Sequence, residues 1–289
     1  MKSANIKTAF ILHSKWAESR GDCIDACAAP GNKTSHLAAL ISDSGPAGSS
    51  KIYAFDKSRN RSDLLRSRMD LFGATAIVSV ENKDFLAVDT GDEKYSKVTC
   101  VLLDPSCSGS GVFRALERVV EEDAAEVDVS SKNRIDSLRQ FQISAIKKAM
   151  SFPSVESVSY STCSVHVDEN ESVVAEIISS ELGNTWQLEA PKCMASWRRR
   201  GLLCPDLLPS WETDKLIRCD PSDGCNGFFV ALFKKKRIIE KEEMTGTAAA
   251  TGVPSRTSVF SDSRLLRNFV WTSGQLWTPW GSGRALSQR

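Results

Sequence analysis

The sequence lacks the features by which several classes of protein are recognised. No window of its 289 residues approaches the run of about 20 apolar residues that a membrane span needs. The N-terminal residues lack the uninterrupted apolar stretch of a secretory signal, so we expect neither a membrane partner nor export. No Gly-x-Gly-x-x-Gly fingerprint is present, which disfavours a nicotinamide dehydrogenase.

Metal-binding patterns are equally scarce. Nine cysteines and three histidines are present, but no two cysteines form a Cys-x-x-Cys pair. The closest cysteine spacings, Cys23/Cys27 and Cys219/Cys225, match neither a zinc ribbon nor a zinc finger. We therefore expect no metal site, and we expect reduced, mostly buried thiols in a cytosolic or nuclear protein.

Charge is distributed unevenly along the chain. From Lys234 onward there are ten Lys and Arg residues against four Asp and Glu residues, whereas 1–233 carries 27 against 32. The mildly acidic body attracts a polyanion weakly, so RNA binding would have to rely on local basic patches or on help from elsewhere. The basic runs 198–200 and 234–237 are candidates, although runs this short usually form solvated faces.

Short β-branched runs alternate with helical periodicity between about residues 22 and 233. This alternation predicts βαβ units around a parallel sheet. Asp168 and Glu171 have the spacing of a capping box and predict a helix that opens at Asp168. Strands are predicted at 22–26, 51–56, 76–80, 98–104, 155–161, 185–188 and 227–233, and helices at 33–42, 64–72, 135–150 and 168–182.

The segments outside the alternating region are interpreted separately. Residues 1–21 are expected to form a short extension, in which Trp16 and the apolar residues 10–12 indicate one short helix. The polar, acidic segment 111–132 predicts a loop. Residues 234–289 are basic at first and then rich in Gly, Ser and Thr, which predicts a largely disordered tail.

Ligands of an open α/β sheet bind beyond the carboxyl ends of the strands, near the point where strand order reverses. The first strand leads into small residues around Pro30-Gly31, where free amides at a helix start can hold an anionic group, or form an ordinary turn. The second strand ends at Asp56, which suits a ribose diol or a helix N-cap. Asp84 follows the third strand and is a candidate for contact with an adenine edge.

Two cysteines follow adjacent predicted strands. The fourth strand leads into Asp104-Pro105-Ser106-Cys107-Ser108-Gly109, and the fifth leads into Thr162-Cys163-Ser164. An isolated cysteine at a strand end is usually a small buried hydrophobe. Two thiols at the same sheet edge, one of them beside an Asp-Pro turn, favour a functional site instead.

These blocks together resemble the RsmB/NOP (Sun-domain) family of RNA cytosine-5 methyltransferases. The segment from Cys27 to Thr34 is similar to the cofactor motif of that family, and the segments around Cys107 and Cys163 are similar to its two catalytic motifs. The sequence of the Cys107 motif, together with Asp84-Phe85-Leu86-Ala87 before it, looks most like that of the subgroup that methylates large-subunit ribosomal RNA. The resemblance covers about residues 22–233.

The resemblance implies a Rossmann-like class I methyltransferase fold, with a mostly parallel sheet and an antiparallel last strand. It implies S-adenosyl-L-methionine as cofactor and RNA, from ribosomal RNA or a pre-ribosome, as partner, in the nucleus or nucleolus. It assigns attack on the cytosine ring to Cys163, breakdown of the adduct to Cys107 and contact with the ring to Asp104. The implied cofactor residues are Cys27, Ala28, Ala29, Pro30, Gly31, Asn32, Lys33, Asp56, Arg61, Asp84 and Asp104.

Two alternatives remain at this point. Family members carry a substantial region before the first strand, whereas 21 residues precede Asp22 here, so the chain resembles a truncated form. A non-catalytic scaffold with the methyltransferase fold is therefore one alternative. A DNA cytosine-5 methyltransferase with Cys107 as its nucleophile is the other, and it would leave Cys163 without a role.

Overall fold

A computed structural model describes residues 4–44, 50–112, 129–204 and 206–237. The described strands form one sheet in the order β3-β2-β1-β4-β5-β8-β6, and β7 pairs with β8 as well. Strands β1 to β5 are parallel, whereas β8 is antiparallel to β5, β6 and β7. This confirms the predicted mostly parallel sheet with an antiparallel last strand. The strands are β1 (Asp22–Asp25), β2 (Ile52–Phe55), β3 (Val78–Glu81), β4 (Val98–Leu103), β5 (Ser157–Thr162), β6 (Trp186–Leu188), β7 (Ile217–Cys219) and β8 (Phe228–Lys235).

All the helices but the first lie between these strands, as the alternating pattern predicts. Within the described residues, none is long and apolar enough to cross a membrane. They are α1 (Ala4–Ser19), α2 (Asn32–Ser44), α3 (Arg59–Leu71), α4 (Val129–Met150), α5 (Glu171–Ser179), α6 (Leu182–Thr185) and α7 (Ser210–Thr213).

Both faces of the sheet are buried. Cys23 and Ile24 are adjacent in β1 but belong to different core clusters, because successive side chains of a strand point to opposite faces. The Cys23 cluster includes residues of α1, α2 and α3, whereas the Ile24 cluster includes residues of α4 and α5. A sheet covered on both faces explains why β4 reads as a continuous apolar run rather than an alternating one.

Helix α1 is longer than the short helix that the sequence predicts. Leu12 and Trp16 are fully buried in the same cluster as Leu37 of α2. The Trp16 indole donates a hydrogen bond to the Gly21 carbonyl oxygen over 2.8 Å. Part of the predicted 1–21 extension therefore belongs to the layer that covers the sheet.

The predicted capping box is wrong. Helix α5 begins at Glu171, and Asn170 precedes it without a side-chain cap. The Asn170 side chain instead accepts a hydrogen bond from the Thr162 hydroxyl (2.6 Å) and donates one to the Ser164 carbonyl oxygen (3.0 Å). The Glu171 carboxylate pairs with the Arg218 guanidinium of β7 over 2.6 Å. The Asn170 and Glu171 side chains therefore bind other parts of the fold, and Asn170 does not cap the helix.

Two further boundaries differ from prediction. Strand β8 continues to Lys235, so the basic run at 234–237 starts inside the sheet, and Lys234 pairs with Glu18 of α1. The rest of the predicted tail, 238–289, lies outside the described residues. Of the predicted loop at 111–132, residues 113–128 lie outside them too, and 129–132 belong to α4.

Candidate active site

The order of the strands reverses at β1, whose neighbours are β2 on one side and β4 on the other. Two cavities of about 240 and 290 Å³ open at the carboxyl ends of these strands. We call them the Lys33 cavity, which is also lined by Asp25, Val112, Asn226 and Phe228, and the Asp56 cavity, which is also lined by Arg61, Asp84 and Phe141. Cys27, Ala29, Asp104 and Cys163 line both cavities. The location agrees with the general rule for ligand sites of open α/β sheets.

The turn after β1 approaches its neighbours closely. Gly31 has a φ of 99°, and a Cβ atom there would lie 2.6 Å from Leu65 Cδ1. Glycine is therefore required both for the backbone conformation and for the space. Arg68 of α3 donates hydrogen bonds to the Pro30 carbonyl oxygen and to Asn32 Oδ1, each over 3.0 Å. These contacts fix the turn that leads into α2.

Asp25, the last residue of β1, carries a carboxyl group that is buried beside the Lys33 cavity. Its Oδ2 accepts a hydrogen bond from the Thr34 hydroxyl over 2.7 Å, whereas Oδ1 has no hydrogen-bond partner among the described residues. Burial and, to a smaller extent, the nearby Asp104 carboxylate raise the pKa of Asp25 to about 7, against the opposing effect of the hydrogen bond from Thr34. A carboxyl group therefore titrates near neutral pH next to the candidate thiols.

Asp56 and Arg61 meet in the Asp56 cavity. Asp56 Oδ1 accepts a hydrogen bond from the Ser58 amide over 2.9 Å, and Arg61 Nη2 lies 3.1 Å from Asp56 Oδ2. The same Arg61 atom donates to the Ala29 carbonyl oxygen over 2.7 Å, which links the turn after β1 to the end of β2. Ser58 rather than Asp56 occupies the N-cap position of α3, so the N-cap alternative for Asp56 is wrong.

Asp84 lies on the same cavity and has a local role as well. Its side chain accepts a hydrogen bond from the Leu86 amide over 2.9 Å and caps the single turn Phe85–Ala87. The turn buries Phe85 against Phe152, with the two rings stacked at 6.0 Å. The carboxylate is thus held at the rim of the Asp56 cavity by a rigid turn.

The two predicted thiols lie next to each other. Cys107 Sγ is 3.3 Å from Cys163 Sγ, and both side chains are partly buried. A hydrogen bond from Cys107 lowers the pKa of Cys163 and raises that of Cys107. Lys33 also lowers the pKa of Cys163, against the opposing effects of burial and Asp104. Cys163 is therefore the better nucleophile of the pair.

Cys27 has a different environment, although it lines both cavities. Burial raises the pKa of Cys27, and the carboxylates of Asp25, Asp104 and Asp56 raise it further. Cys27 therefore remains a neutral thiol at physiological pH, which suits a wall residue rather than a nucleophile.

Asp104 connects the two cavities. Its Oδ2 pairs with the Lys33 ammonium, and its Oδ1 accepts a hydrogen bond from the Ser161 hydroxyl over 2.7 Å. Lys33 Nζ also lies 5.3 Å from the centre of the Phe228 ring. A cation, a carboxylate and an aromatic face therefore surround Cys163, and these are the groups that a planar polar ring would contact.

Backbone contacts hold the Cys163 segment in place. The Gly111 amide donates to the Cys163 carbonyl oxygen, and the Gly227 amide donates to the Gly111 carbonyl oxygen, each over 2.8 Å. A Cβ atom on Gly111 would lie 2.6 Å from the Gly227 carbonyl oxygen. The loops after β4 and β5 are thus joined to each other and to the start of β8.

The structure brings the residues predicted from the sequence to these two cavities, except that Gly31 shapes the turn without lining either. Sequence reasoning did not single out Asp25, Ser161, Asn226 or Phe228 as site residues. Asp25 is the last residue but one of the first predicted strand and Phe228 is the second residue of the last, so their positions carried a usable signal. Across the described part of the chain, no group of three or more His, Cys, Asp or Glu side chains is arranged to hold a metal ion.

Comparison with known proteins identifies the family. The family model described as 16S rRNA methyltransferase RsmB/F matches residues 10–234. A 25S rRNA (cytosine-C(5))-methyltransferase, rcm1, of Schizosaccharomyces pombe is 40% identical over 229 residues, which are 78% of this chain and 47% of that protein. A 28S rRNA (cytosine-C(5))-methyltransferase of Mus musculus is 40% identical over 217 residues, which are 75% of this chain and 43% of that protein. The chain therefore spans less than half the length of these two curated relatives.

Solved structures agree with the fold. NSun6 from Pyrococcus horikoshii, crystallised with SFG, is 25% identical with a TM-score of 0.56, over 80% of this chain and 51% of that one. A methyltransferase homolog protein from the same organism is 26% identical with a TM-score of 0.56, over 75% of this chain and 62% of that one. The predicted Rossmann-like class I methyltransferase fold is thereby confirmed. This chain belongs to the RsmB/F family of ribosomal RNA methyltransferases, as its motifs predicted.

Proposed function

We propose that this chain is an S-adenosylmethionine-dependent RNA (cytosine-5)-methyltransferase that acts on large-subunit ribosomal RNA through a covalent adduct at Cys163. The observation that carries the proposal is the Cys107–Cys163 thiol pair, which lies beside Asp104 where the two cavities meet. The rRNA cytosine-C5 methyltransferases of fission yeast and mouse named above support this choice of substrate.

The Asp56 cavity suits the cofactor. S-adenosylmethionine, when bound, supplies an electrophilic methyl group. The Asp56 carboxylate, oriented by Arg61, would accept hydrogen bonds from the ribose hydroxyls, and Asp84 would accept one from the adenine edge. Ala29 lines both cavities, so a bound cofactor could extend from the Asp56 cavity to the start of α2, where Ala28 and Asn32 line the Lys33 cavity and backbone amides would hold its carboxylate. The orphaned oxygen of Asp25 lies on the adjoining wall and is available to a cationic or hydrogen-bonding group.

The cytosine would occupy the Lys33 cavity. C5 of cytosine is too weak a nucleophile to take a methyl group directly, so the ring must first be activated. The Cys163 thiolate would add to C6, forming the Sγ–C6 bond and shifting the electrons of the C5–C6 double bond into the ring. Asp104 in its protonated form would donate a proton or a hydrogen bond at N3 and stabilise that charge, and Lys33 and Ser161 would stabilise the Asp104 carboxylate that remains after the donation. A base stacked in an RNA would have to be extruded to reach this position.

Breakdown of the adduct is assigned to the second thiol. Once a water molecule has taken the C5 proton, the electron pair of the broken C–H bond restores the C5–C6 double bond while the Sγ–C6 bond breaks and sulfur leaves with its electrons. Cys107, whose Sγ is 3.3 Å from Cys163 Sγ, can donate a hydrogen bond to the departing thiolate. The contact that lowers the pKa of Cys163 in the free protein thus stabilises the same charge when the product is released.

Trapping on RNA that carries 5-azacytosine tests this assignment. Nitrogen replaces C5 in this base, so no C5 proton can be lost and the adduct persists. We expect wild-type protein and Cys107→Ala to form the adduct, and Cys163→Ala to form none. An adduct that is lost in Cys107→Ala and kept in Cys163→Ala would overturn the proposal. That pattern on DNA rather than RNA would favour a DNA methyltransferase with Cys107 as nucleophile.

The scaffold alternative makes a different prediction. Calorimetric titration with S-adenosylmethionine should show a single site that Asp56→Ala weakens. Absence of binding at millimolar cofactor would favour a non-catalytic scaffold over either enzyme.

The target would be identified by bisulfite sequencing of ribosomal RNA from cells that lack the protein, with and without rescue by this chain. A nuclear or nucleolar location, with the pre-ribosome as partner, is part of the same proposal.

A further inference from the structure

The loop that carries Cys107 is anchored on both sides of the cysteine. The Ser106 carbonyl oxygen accepts a hydrogen bond from Gln142 Nε2 of α4 over 3.1 Å. The Ser108 amide donates to Glu169 Oε1 over 2.9 Å. Gln142 Nε2 also donates to Glu169 Oε1 over 3.0 Å, so the two anchors are joined. The backbone on either side of Cys107 is therefore held by one pair of side chains.

Gln142 and Glu169 are both buried, and a third buried side chain, Tyr160, contacts them. Glu169, Gln142 and Tyr160 are each 0% exposed. The Tyr160 hydroxyl lies 2.6 Å from the Glu169 carbonyl oxygen and 3.2 Å from Gln142 Oε1. Tyr160 belongs to β5, two positions before the strand ends and three before Cys163. The support of the Cys107 loop is thus built on the strand that leads to Cys163.

The Glu169 carboxylate is an expensive group to bury at this position. Its Oε2 has no hydrogen-bond partner among the described residues, and burial of a carboxyl group without full pairing is unfavourable. An apolar side chain of similar size would fill the space without that penalty. What an apolar side chain cannot do is accept the hydrogen bond from the Ser108 amide, which is directional and fixes the loop.

We infer that Glu169 is a positioning residue that holds Cys107 within hydrogen-bond distance of Cys163. It acts through the Ser108 amide and through Gln142, and it touches neither cavity. This role of Glu169 in placing the two thiols does not depend on which reaction the thiols perform. Its consequence for catalysis rests on the proposed function, because it requires Cys107 to assist breakdown of an adduct at Cys163.

Cys163 is held by contacts that do not include the Glu169 carboxylate. Its carbonyl oxygen accepts from the Gly111 amide, and its two neighbours are tied to Asn170 through the Thr162 hydroxyl and the Ser164 carbonyl oxygen. Removal of the carboxylate should therefore displace Cys107 more than Cys163. Attack on the base would continue, whereas release from the adduct would become slow.

The first experiment measures the thiol pair without RNA. The rate of Cys163 alkylation by iodoacetamide is followed against pH in the full chain by peptide mass spectrometry. In Glu169→Ala the midpoint should rise by about one pH unit, because the Cys163 thiolate loses a hydrogen bond from Cys107. In Glu169→Gln the midpoint should stay near the wild-type value, since the amide oxygen can still accept from Ser108.

Controls separate this effect from loss of stability. Glu212 is also a buried glutamate, but it pairs with Lys215 in another part of the fold, so Glu212→Ala should leave the midpoint unchanged. If Glu169→Ala does not fold, Gln142→Ala removes the bonds to Ser106 and Glu169 and should raise the midpoint in the same direction. A folded Glu169→Ala or Gln142→Ala protein with the wild-type midpoint would refute the inference.

The second experiment uses RNA with ordinary cytosine. Glu169→Ala should accumulate a covalent protein–RNA complex that resists denaturing gel electrophoresis, as should Cys107→Ala, while wild type and Glu169→Gln should not. A merely destabilising change would lower the amount of complex instead. If wild-type protein fails to trap on 5-azacytosine RNA, the proposed function is wrong, but the alkylation result still decides the role of Glu169. Normal trapping by Glu169→Ala, with rapid release from ordinary RNA, would overturn the catalytic consequence.

Discussion

Cys107 Sγ lies 3.3 Å from Cys163 Sγ, although 56 positions separate the two residues along the chain. They are brought together because β4 and β5 are adjacent and parallel, so the loops after their carboxyl ends share one edge of the sheet. At this separation one thiol can donate a hydrogen bond to the other. The two groups therefore titrate as a pair, in which the first proton lost comes from Cys163.

Replacement of Cys107 should make Cys163 less reactive. In Cys107→Ala the Cys163 thiolate loses its hydrogen bond, so we expect the pKa of Cys163 to rise. Hydrogen bonds to charged groups contribute about 1.5–3 kcal/mol, which corresponds to a roughly tenfold or greater loss of alkylation rate near neutral pH. Iodoacetamide kinetics at several pH values measure this. Cys193→Ala, which changes a half-buried thiol elsewhere, is the matched control and should leave Cys163 unaffected.

The sequence predicts most of the sheet because its strands and helices alternate clearly, and each buried strand is long enough to show its pattern. Strand β7 (Ile217–Cys219) was not predicted, because its three residues include Arg218 and show no apolar pattern, and its pairing with the start of β8 appears only in the folded chain. The capping box failed for a related reason. Residues 168–171 have the right local spacing, but Asn170 and Glu171 are used by partners more than 5 positions away in the sequence.

The candidate site likewise contains residues that local sequence patterns predict and residues that only tertiary contacts reveal. Cys107, Cys163 and Asp104 could be placed together from the sequence, because each follows a strand and the carboxyl ends of parallel strands meet. Glu169 could not, since it lies in a turn and only the folded chain brings it to the Ser108 amide. Local patterns therefore predicted the groups that face the cavities. Side chains such as Glu169, which hold the loops of the cavity residues without lining a cavity, could be identified only from the structure.

Asp56 should control affinity for the cofactor. Asp56→Ala removes the carboxylate that would bind the ribose hydroxyls, and loss of hydrogen bonds to a charged group should weaken binding by about 10- to 100-fold. Isothermal titration with S-adenosylmethionine measures the effect. Arg66→Ala alters another arginine of α3, which pairs with Asp63, and should bind as the wild type does. Equal affinities in wild type and Asp56→Ala would place the cofactor elsewhere.

Gly111 should tolerate no side chain. In Gly111→Ala the new Cβ would lie 2.6 Å from the Gly227 carbonyl oxygen and 2.9 Å from the Cys163 carbonyl oxygen, so the backbone must move. We expect a loss of about 1–3 kcal/mol in the free energy of unfolding and a larger loss of methylation, because the Cys163 segment shifts. Thermal denaturation and methyl transfer to RNA measure the two effects. Gly91→Ala places its Cβ at an ordinary 3.5 Å from Asp89 Oδ1 and should be neutral in both.

Asp25 should make the stability of the protein depend on pH. Burial raises its pKa from 3.8 to about 7, so the folded chain keeps a proton on Asp25 over this range and the unfolded chain does not. Because the unfolded state binds fewer protons there, stability falls as pH rises from about 4 to 7, and the penalty is complete above that window. Between about pH 5 and pH 8 the contribution is on the order of 3 kcal/mol.

Asp25→Asn tests this dependence, because an amide does not titrate and its oxygen can still accept from the Thr34 hydroxyl. Relative to wild type, the variant should gain stability progressively between pH 5 and pH 8, as measured by urea unfolding of the ligand-free chain at each pH. Asp89→Asn changes an exposed carboxylate and should follow the wild-type curve. Parallel curves for Asp25→Asn and wild type would mean that Asp25 is ionised in the folded protein at pH 5. The Asp25 carboxylate would then be stabilised by the Lys33 ammonium and the Thr34 hydroxyl despite its burial.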